Sequence, residues 1–239
     1  MGRPCAFSLV RWNKNLNRVL FVIFFGLTGT AVLLGLGKWQ LDRLAWKEAI
    51  LSDIDARIAA KPERLPQVPT EEKDRYLPVQ ATGQLHPETL RILVSQKKIG
   101  AGYRLISAFE TEGRRVLLDR GFIKIDAPVP PATNQPIDVI AHLHWPDEID
   151  SFTPPPDVEE NIWFARDVAA MARALETQPI LLVAANVSPP EAHVSPLPID
   201  TSNIPNDHLQ YAITWFSLAA VWIIMSAVFL RRTRTRKKA

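Results

Sequence analysis

Cysteine is nearly absent from this sequence: Cys5 is the single one, close to the N-terminus. The long middle of the chain therefore carries no disulfide, no thiolate metal site and no cysteine nucleophile. That excludes the usual thiol-based copper chaperones and disulfide oxidoreductases. Glycine-rich phosphate loops are missing too, and so is any serine, histidine and carboxylate arrangement of a hydrolase. No residues stand out to carry catalysis, so the reading is of a protein that is not an enzyme. Two further absences concern charge. Acids are missing from both ends, and charge of either sign is missing from two long runs.

The first uncharged run spans the nineteen residues 19–37 and the second the twenty residues 211–230. As helices they reach roughly 28 and 30 Å, close to the thickness of a bilayer core. Residues 1–18 hold Arg3, Arg11, Lys14 and Arg18; residues 231–239 hold Arg231, Arg232, Arg234, Arg236, Lys237 and Lys238. Removing these ten from the 28 basic residues leaves 18 against all 25 acids, so the middle is about −7. By the positive-inside rule both basic tails are cytoplasmic and residues 38–210 form an extracytoplasmic domain. The sequence pI of 9.1 comes from tails that topology already accounts for, so it is no sign of nucleic-acid binding; the expected surroundings of the two spans are the lipid bilayer. Gly35-Leu36-Gly37 offers a small-x-small cleavage motif, yet the apolar run exceeds the usual signal-peptide length. A retained anchor is expected, and a mass near 26.9 kDa checks it.

Beyond the first run, Leu41, Leu44, Leu51, Ile54 and Ile58 keep helical spacing, with Pro62 after the end. Residues 61–73 read as a connector. From Leu77 the period becomes two, giving strands around 79–85, 90–94, 103–109, 116–123 and 137–145. Five strands with turns between them predict an antiparallel, barrel-like sheet. Phe164, Val168, Met171 and Leu175 predict a helix inserted within 161–176, and residues 180–187 a last strand. Five prolines in 188–207 predict an extended return to the membrane. The fold class is thus two transmembrane helices flanking an α+β domain that is β-rich and barrel-like.

Four groups of residues invite a chemical reading. His142 and His144 alternate on one strand face and could chelate a metal, but no third ligand stands near, so two solvent-facing histidines are expected. Tyr103, Arg104, Asp119 and Arg120 are read as holding a structural ion pair in the barrel wall, with partner binding as the rival. Arg120-Gly121 reads as a bend needing glycine. The mouth of the second span carries His208, Tyr211 and Trp215, with Trp222 a further two turns on. A neutral imidazole there can ligate haem iron axially, while an interfacial histidine within an aromatic belt explains the same residues without a ligand. Lys38, Trp39, Gln40 and Arg43 reach the same depth from the first span, and Lys38, Arg43 or Lys47 could pair with propionates. Gly26 and Thr30, then Ala31 and Gly35, give small-x-x-x-small spacing for helix pairing.

With these residues in view, the chain resembles bacterial members of the Surf1/Shy1 family of cytochrome c oxidase assembly factors. The resemblance rests on four blocks in order: Gly37-Lys38-Trp39-Gln40 with Arg43 and Lys47; Gly102-Tyr103-Arg104; residues 116–123 ending in Arg120-Gly121-Phe122-Ile123; and residues 206–216 around His208. Phe122 stands where tryptophan is common in the family, and Lys124 where proline is common. The resemblance implies a chaperone of the bacterial inner membrane in respiratory chain biogenesis. Its implied partners are oxidase subunit I and haem a synthase, and its implied cofactor is haem a. His208 carries over as the axial ligand; around it Tyr211 and Trp215 are read as the wall, Lys38 or Arg43 as the propionate partner, and Trp39 as a further cofactor-binding residue. The alternative it leaves open is a haem-independent scaffold that stabilises unassembled subunits through the extracytoplasmic domain.

Overall fold

A computed structural model describes residues 14–96, 99–132, 135–202 and 204–235. The basic segment 1–13, with Cys5, and the tail residues 236–239 lie outside the described residues. The chain divides into two compact units, one of residues 51–203 and the other of 1–50 with 204–239.

The second of these is helical. Helix α1 runs Lys14–Ile58, its last two turns belonging to the other unit. The closing helix of the chain, free of Lys, Arg, Asp and Glu until Arg231, runs His208–Thr235. Both are long and apolar enough to cross a membrane. Large side chains such as Phe24 and Ile224 stay exposed on them, as residues facing lipid do.

The unit of residues 51–203 is a closed barrel. Its strands are β1 Glu63–Arg64, β2 Pro78–Gln96, β3 Gly100–Thr111, β4 Arg114–Lys124, β5 Ile137–His144, β6 Ile162–Trp163 and β7 Leu181–Ser188. Two short helices, α2 Glu71–Asp74 and α3 Val168–Ala174, interrupt them, so the closing helix is α4. Strand β2 closes the sheet: residues 78–83 pair with β5 and residues 84–96 with β3. The circuit β2-β3-β4-β7-β5 is antiparallel except at β4–β7, which is parallel. Strands β1 and β6 add short parallel pairings to β2.

Alternation explains how this wall is filled. Val139, Ala141 and Leu143 of β5 join Val79, Phe109, Leu118 and Leu182 in the larger apolar cluster. The apolar run in β4 has a different cause, since it is buried on both sides. Val116 and Leu118 enter that cluster, while Leu117 faces a second one with Trp163, Met171, Leu175 and Leu181. Helix α3 covers this second face. It begins where Asp167 accepts a hydrogen bond from Ala170 N at 2.9 Å, an ordinary N-cap.

Several sequence expectations are corrected. The first two strands are one, because an irregularity between Leu85 and Thr89 bends β2 without ending it. The connector 61–73 contains β1 and α2. The inserted helix shrinks to seven residues, since the stretch ahead of it pairs as β6; Phe164 is outside it and exposed. His142 is not solvent-facing: it is buried, and its Nε2 lies 3.1 Å from the Ile58 carbonyl that ends α1. His144 is half-buried and stacks on Tyr76. Among the described residues no group of three or more metal-ligating side chains forms.

Candidate functional site

Two polar constellations stand out, one in each unit. In the helical unit, Gln40 is only 9% exposed and its Oε1 lies 2.8 Å from Nδ1 of His208. With the amide oxygen as acceptor, Nδ1 carries the proton and donates. The lone pair then sits on Nε2, which is the arrangement a metal-ligating imidazole needs. Close packing of α1 on α4 brings these two side chains together. A Cβ on Gly29 would fall 2.5 Å from Trp222 Nε1, and one on Gly37 would fall 2.7 Å from the Phe216 ring. Trp222 Nε1 also donates to the Gly26 carbonyl at 3.1 Å. The small stripe that pairs the helices is therefore Gly26, Gly29 and Gly37. Gly35 has open space where its Cβ would be.

The other residues singled out in the sequence are distributed unevenly around this pair. Trp215 is half-buried, whereas Tyr211 and Trp39 are more than half exposed. Lys38 pairs with Asp42 at 2.8 Å on the exposed face of α1. Arg43 lies over the Trp46 ring at 3.8 Å, and Lys47 donates to the Pro205 carbonyl. The nearest signal for Gln40, which sequence reasoning gave no role, is its spacing. It follows Gly37 by three residues and so continues the stripe of Gly26 and Gly29.

For haem a the fit is divided. His208, with its ring oriented by Gln40, suits an axial ligand. The cations expected for the propionates are already engaged. The Lys38–Asp42 pair is exposed, however, and such a pair holds about 0.3–0.5 kcal/mol, so exchanging it for a carboxylate of a ligand costs little.

In the barrel unit the charged residues of β3 and β4 form a buried network. Asp119 is fully buried; it accepts from Arg104 Nε at 2.7 Å, Arg166 Nη1 at 3.4 Å and Gly121 N at 3.2 Å. Arg104 also donates to the Leu197 carbonyl at 2.7 Å, which ties the return segment to the barrel. Arg166 reaches Glu148 through Nε at 3.0 Å. Burial alone would raise the Glu148 carboxyl, but the Arg166 hydrogen bonds and charge outweigh it and hold it below the usual range. Burial, then the charges of Arg166 and Arg75, lower His144 to about 4, so it is neutral at pH 7.

Arg120 is the residue left over at a bulge, since Ile106 pairs with Asp119 and Leu105 with Gly121. The bulge turns its guanidinium inward, where it meets Glu191 and the Ser107 hydroxyl. Gly121 has φ +120°, and Phe122 exchanges two backbone hydrogen bonds with Ser195 beside it. A side chain at Gly121 would collide with the Ser195 carbonyl, so glycine is required. The expected ion pair in the barrel wall is thus present, together with the expected glycine bend.

Comparison with known proteins covers both units. A family model described as the SURF1 family matches residues 27–220, which takes in the whole barrel unit, most of α1 and the first part of α4. The chain belongs to the SURF1 family. Among curated SURF1 relatives, the rat protein called Surfeit locus protein 1 is 30% identical over 225 residues, covering 83% of this chain and 72% of its own. The human protein of the same name is 30% identical over 209 residues, covering 77% and 69%. A SURF1-like protein of Rickettsia prowazekii (strain Madrid E) is 30% identical over 209 residues, covering 82% and 84%.

Proposed function

We propose that this protein is a non-enzymatic assembly factor for haem-copper (cytochrome c) oxidase in a bacterial inner membrane. In this reading both termini are cytoplasmic, because the basic tails obey the positive-inside rule, and the barrel is extracytoplasmic. Its partners are oxidase subunit I and haem a synthase. SURF1 membership supports the assembly role. The observation that carries the cofactor part is the 2.8 Å contact between His208 Nδ1 and Gln40 Oε1.

Haem a would be held by His208 through Nε2, with Trp215, Tyr211 and Trp39 against its apolar surface and Lys38 or Arg43 at its propionates. Bound there, it supplies the iron centre that the oxidase core subunit needs. The protein's own residues orient the imidazole and present an apolar surface, and they carry out no chemistry on the group. Co-expression with haem a synthesis, purification and visible spectroscopy tests this. A Soret band lost in His208→Ala is expected; a purified protein without one, or a spectrum indifferent to that change, sinks the haem claim.

A haem-independent scaffold is the second reading, and a specific feature favours it. The buried network through Asp119 makes the barrel unit a stiff body that stabilises unassembled subunits without any cofactor. Under it His208→Ala leaves oxidase assembly intact, while charge reversal at Arg104 or Arg120 impairs it.

A further inference from the structure

Residues 146–165 form a loop whose behaviour the barrel does not require. Its two ends are tied together, since the Glu148 carboxylate accepts from both Nε and the backbone N of Arg166, each at 3.0 Å. Arg166 is anchored in turn on the fully buried Asp119. Within the loop, Asp150 Oδ1 accepts from Phe152 N at 2.8 Å and from the Thr153 hydroxyl at 3.0 Å. Three prolines at 154–156 then restrict the backbone, and Asp157 and Ile162 exchange two 2.8 Å hydrogen bonds before β6 joins β2. Hydrogen bonds thus brace the loop near both ends and at its tip.

Trp163 and Ala165 at its far end are buried, but Ile149, Phe152 and Val158 point outward. Phe152 is 88% exposed, the highest value for any large apolar side chain among the described residues, and Val158 is 76% exposed. A flexible loop would fold such a ring back onto the barrel; this one holds it away. Aromatic rings presented on a stiff backbone lose little entropy on binding and are the usual anchors of protein interfaces. The surrounding charge identifies what such an anchor fits. Residues 146–165 contain six acids and no lysine or arginine, and residues 51–203 as a whole carry 22 acids against 15 bases, or −7. That charge repels an anionic lipid surface and a second copy of the same barrel.

We infer that the loop at 146–165 is the docking surface for a protein client, with Phe152 entering an apolar pocket rimmed by lysine or arginine. Resting on the assembly-factor reading, the client is the extracytoplasmic face of the oxidase core subunit. The ion network through Asp119 then has a second task, which is to hold the loop in its binding conformation before the client arrives.

The full-length protein in its own membrane provides the test. A benzophenone photo-crosslinker replaces Phe152 in one strain and Val68 in another, Val68 being 82% exposed but outside the loop. Each strain also carries a tagged core subunit. Crosslinking to the core subunit at position 152, at least tenfold above position 68, is expected. Replacing Asp147, Glu159 and Glu160 together by lysine should lower that yield about tenfold. Phe152→Ser should lower core-subunit copurification similarly while leaving thermal unfolding of the barrel unchanged. If the wild-type protein copurifies with the core subunit but position 152 does not crosslink to it, the docking surface is wrong and the assembly reading stands. Adducts at 152 with lipid or with a second copy overturn the inference too. A wild-type protein that captures no core subunit overturns both.

Discussion

The helix pair and the barrel solve the problem of a buried polar group in opposite ways. In the helix pair, polarity is sparse: one histidine and one glutamine meet where glycines let the backbones approach, and the histidine keeps a nitrogen for something else. In the barrel, polarity is dense and self-contained. Arg104, Asp119, Arg166 and Glu148 answer one another, and Arg120 is answered by Glu191 and Ser107. A buried charge without a partner costs several kcal/mol, so the barrel network closes on itself. The helix pair carries no such buried charge, and the Gln40 contact engages only one of the two ring nitrogens of His208. Under the proposed function the spare bonding capacity is where a ligand would bind, while the closed network holds the barrel together.

Removing one member from each constellation should separate the two. Asp119→Ala has the largest expected effect, because it removes the buried carboxylate that Arg104 and Arg166 share and leaves Arg104 without a charge partner. A loss of about 3–5 kcal/mol in denaturant unfolding of the barrel, or failure to accumulate folded protein, is expected. A loss under 1 kcal/mol would mean that the network is not self-contained and would break the comparison.

Gln40→Ala should do the reverse. Barrel unfolding stays unchanged, while haem a occupancy measured by titration falls about tenfold to a hundredfold, the usual cost of losing the partner that orients a ligating histidine. Equal haem affinity in the variant would detach Gln40 from any such role.

Acid should act on the barrel first. His144 is neutral in the folded state down to about pH 4 but takes up a proton near pH 6.5 when unfolded. The unfolded state binds more protons between those values, so stability is full above about 6.5 and declines as pH falls towards 4. Glu148, also held low when folded, adds in the same direction. A decline of about 1–2 kcal/mol is expected, after discount for the part of the ring in water. His144→Phe should flatten the slope.

Smallest of all, Lys38→Ala removes only an exposed pair and should change helix-unit stability by less than about 0.5 kcal/mol. A larger loss would show Lys38 doing more than pairing with Asp42.

Much of this organisation was legible in the sequence. The two uncharged runs announced the helices, since length and apolarity alone decide whether a helix can cross a bilayer. Alternation announced the strands, and Arg120-Gly121 announced a bend. What periodicity could not show was continuity and burial. Strand β2 reads as two segments because Pro87 and Glu88 sit at a bulge that looks like a turn. Phe164 fits a helical face by spacing, yet its neighbours Ile162 and Trp163 are captured by β2. The histidine pair reads as exposed because nothing local reveals that the end of α1 covers His142.

The sequence by itself determined the number of membrane helices, the charge asymmetry and the barrel-like alternation, because each is a property of composition along the chain. Only tertiary structure decided that Gln40 faces His208, that Asp119 joins two arginines, and that Phe152 is held outward. Those are meetings between residues far apart in the chain, up to 168 positions for Gln40 and His208. Which donor meets which acceptor depends on helix rotation and strand register. Both are set by packing, at glycines such as Gly29 and Gly37 and at the bulge beside Arg120, and not by any local pattern.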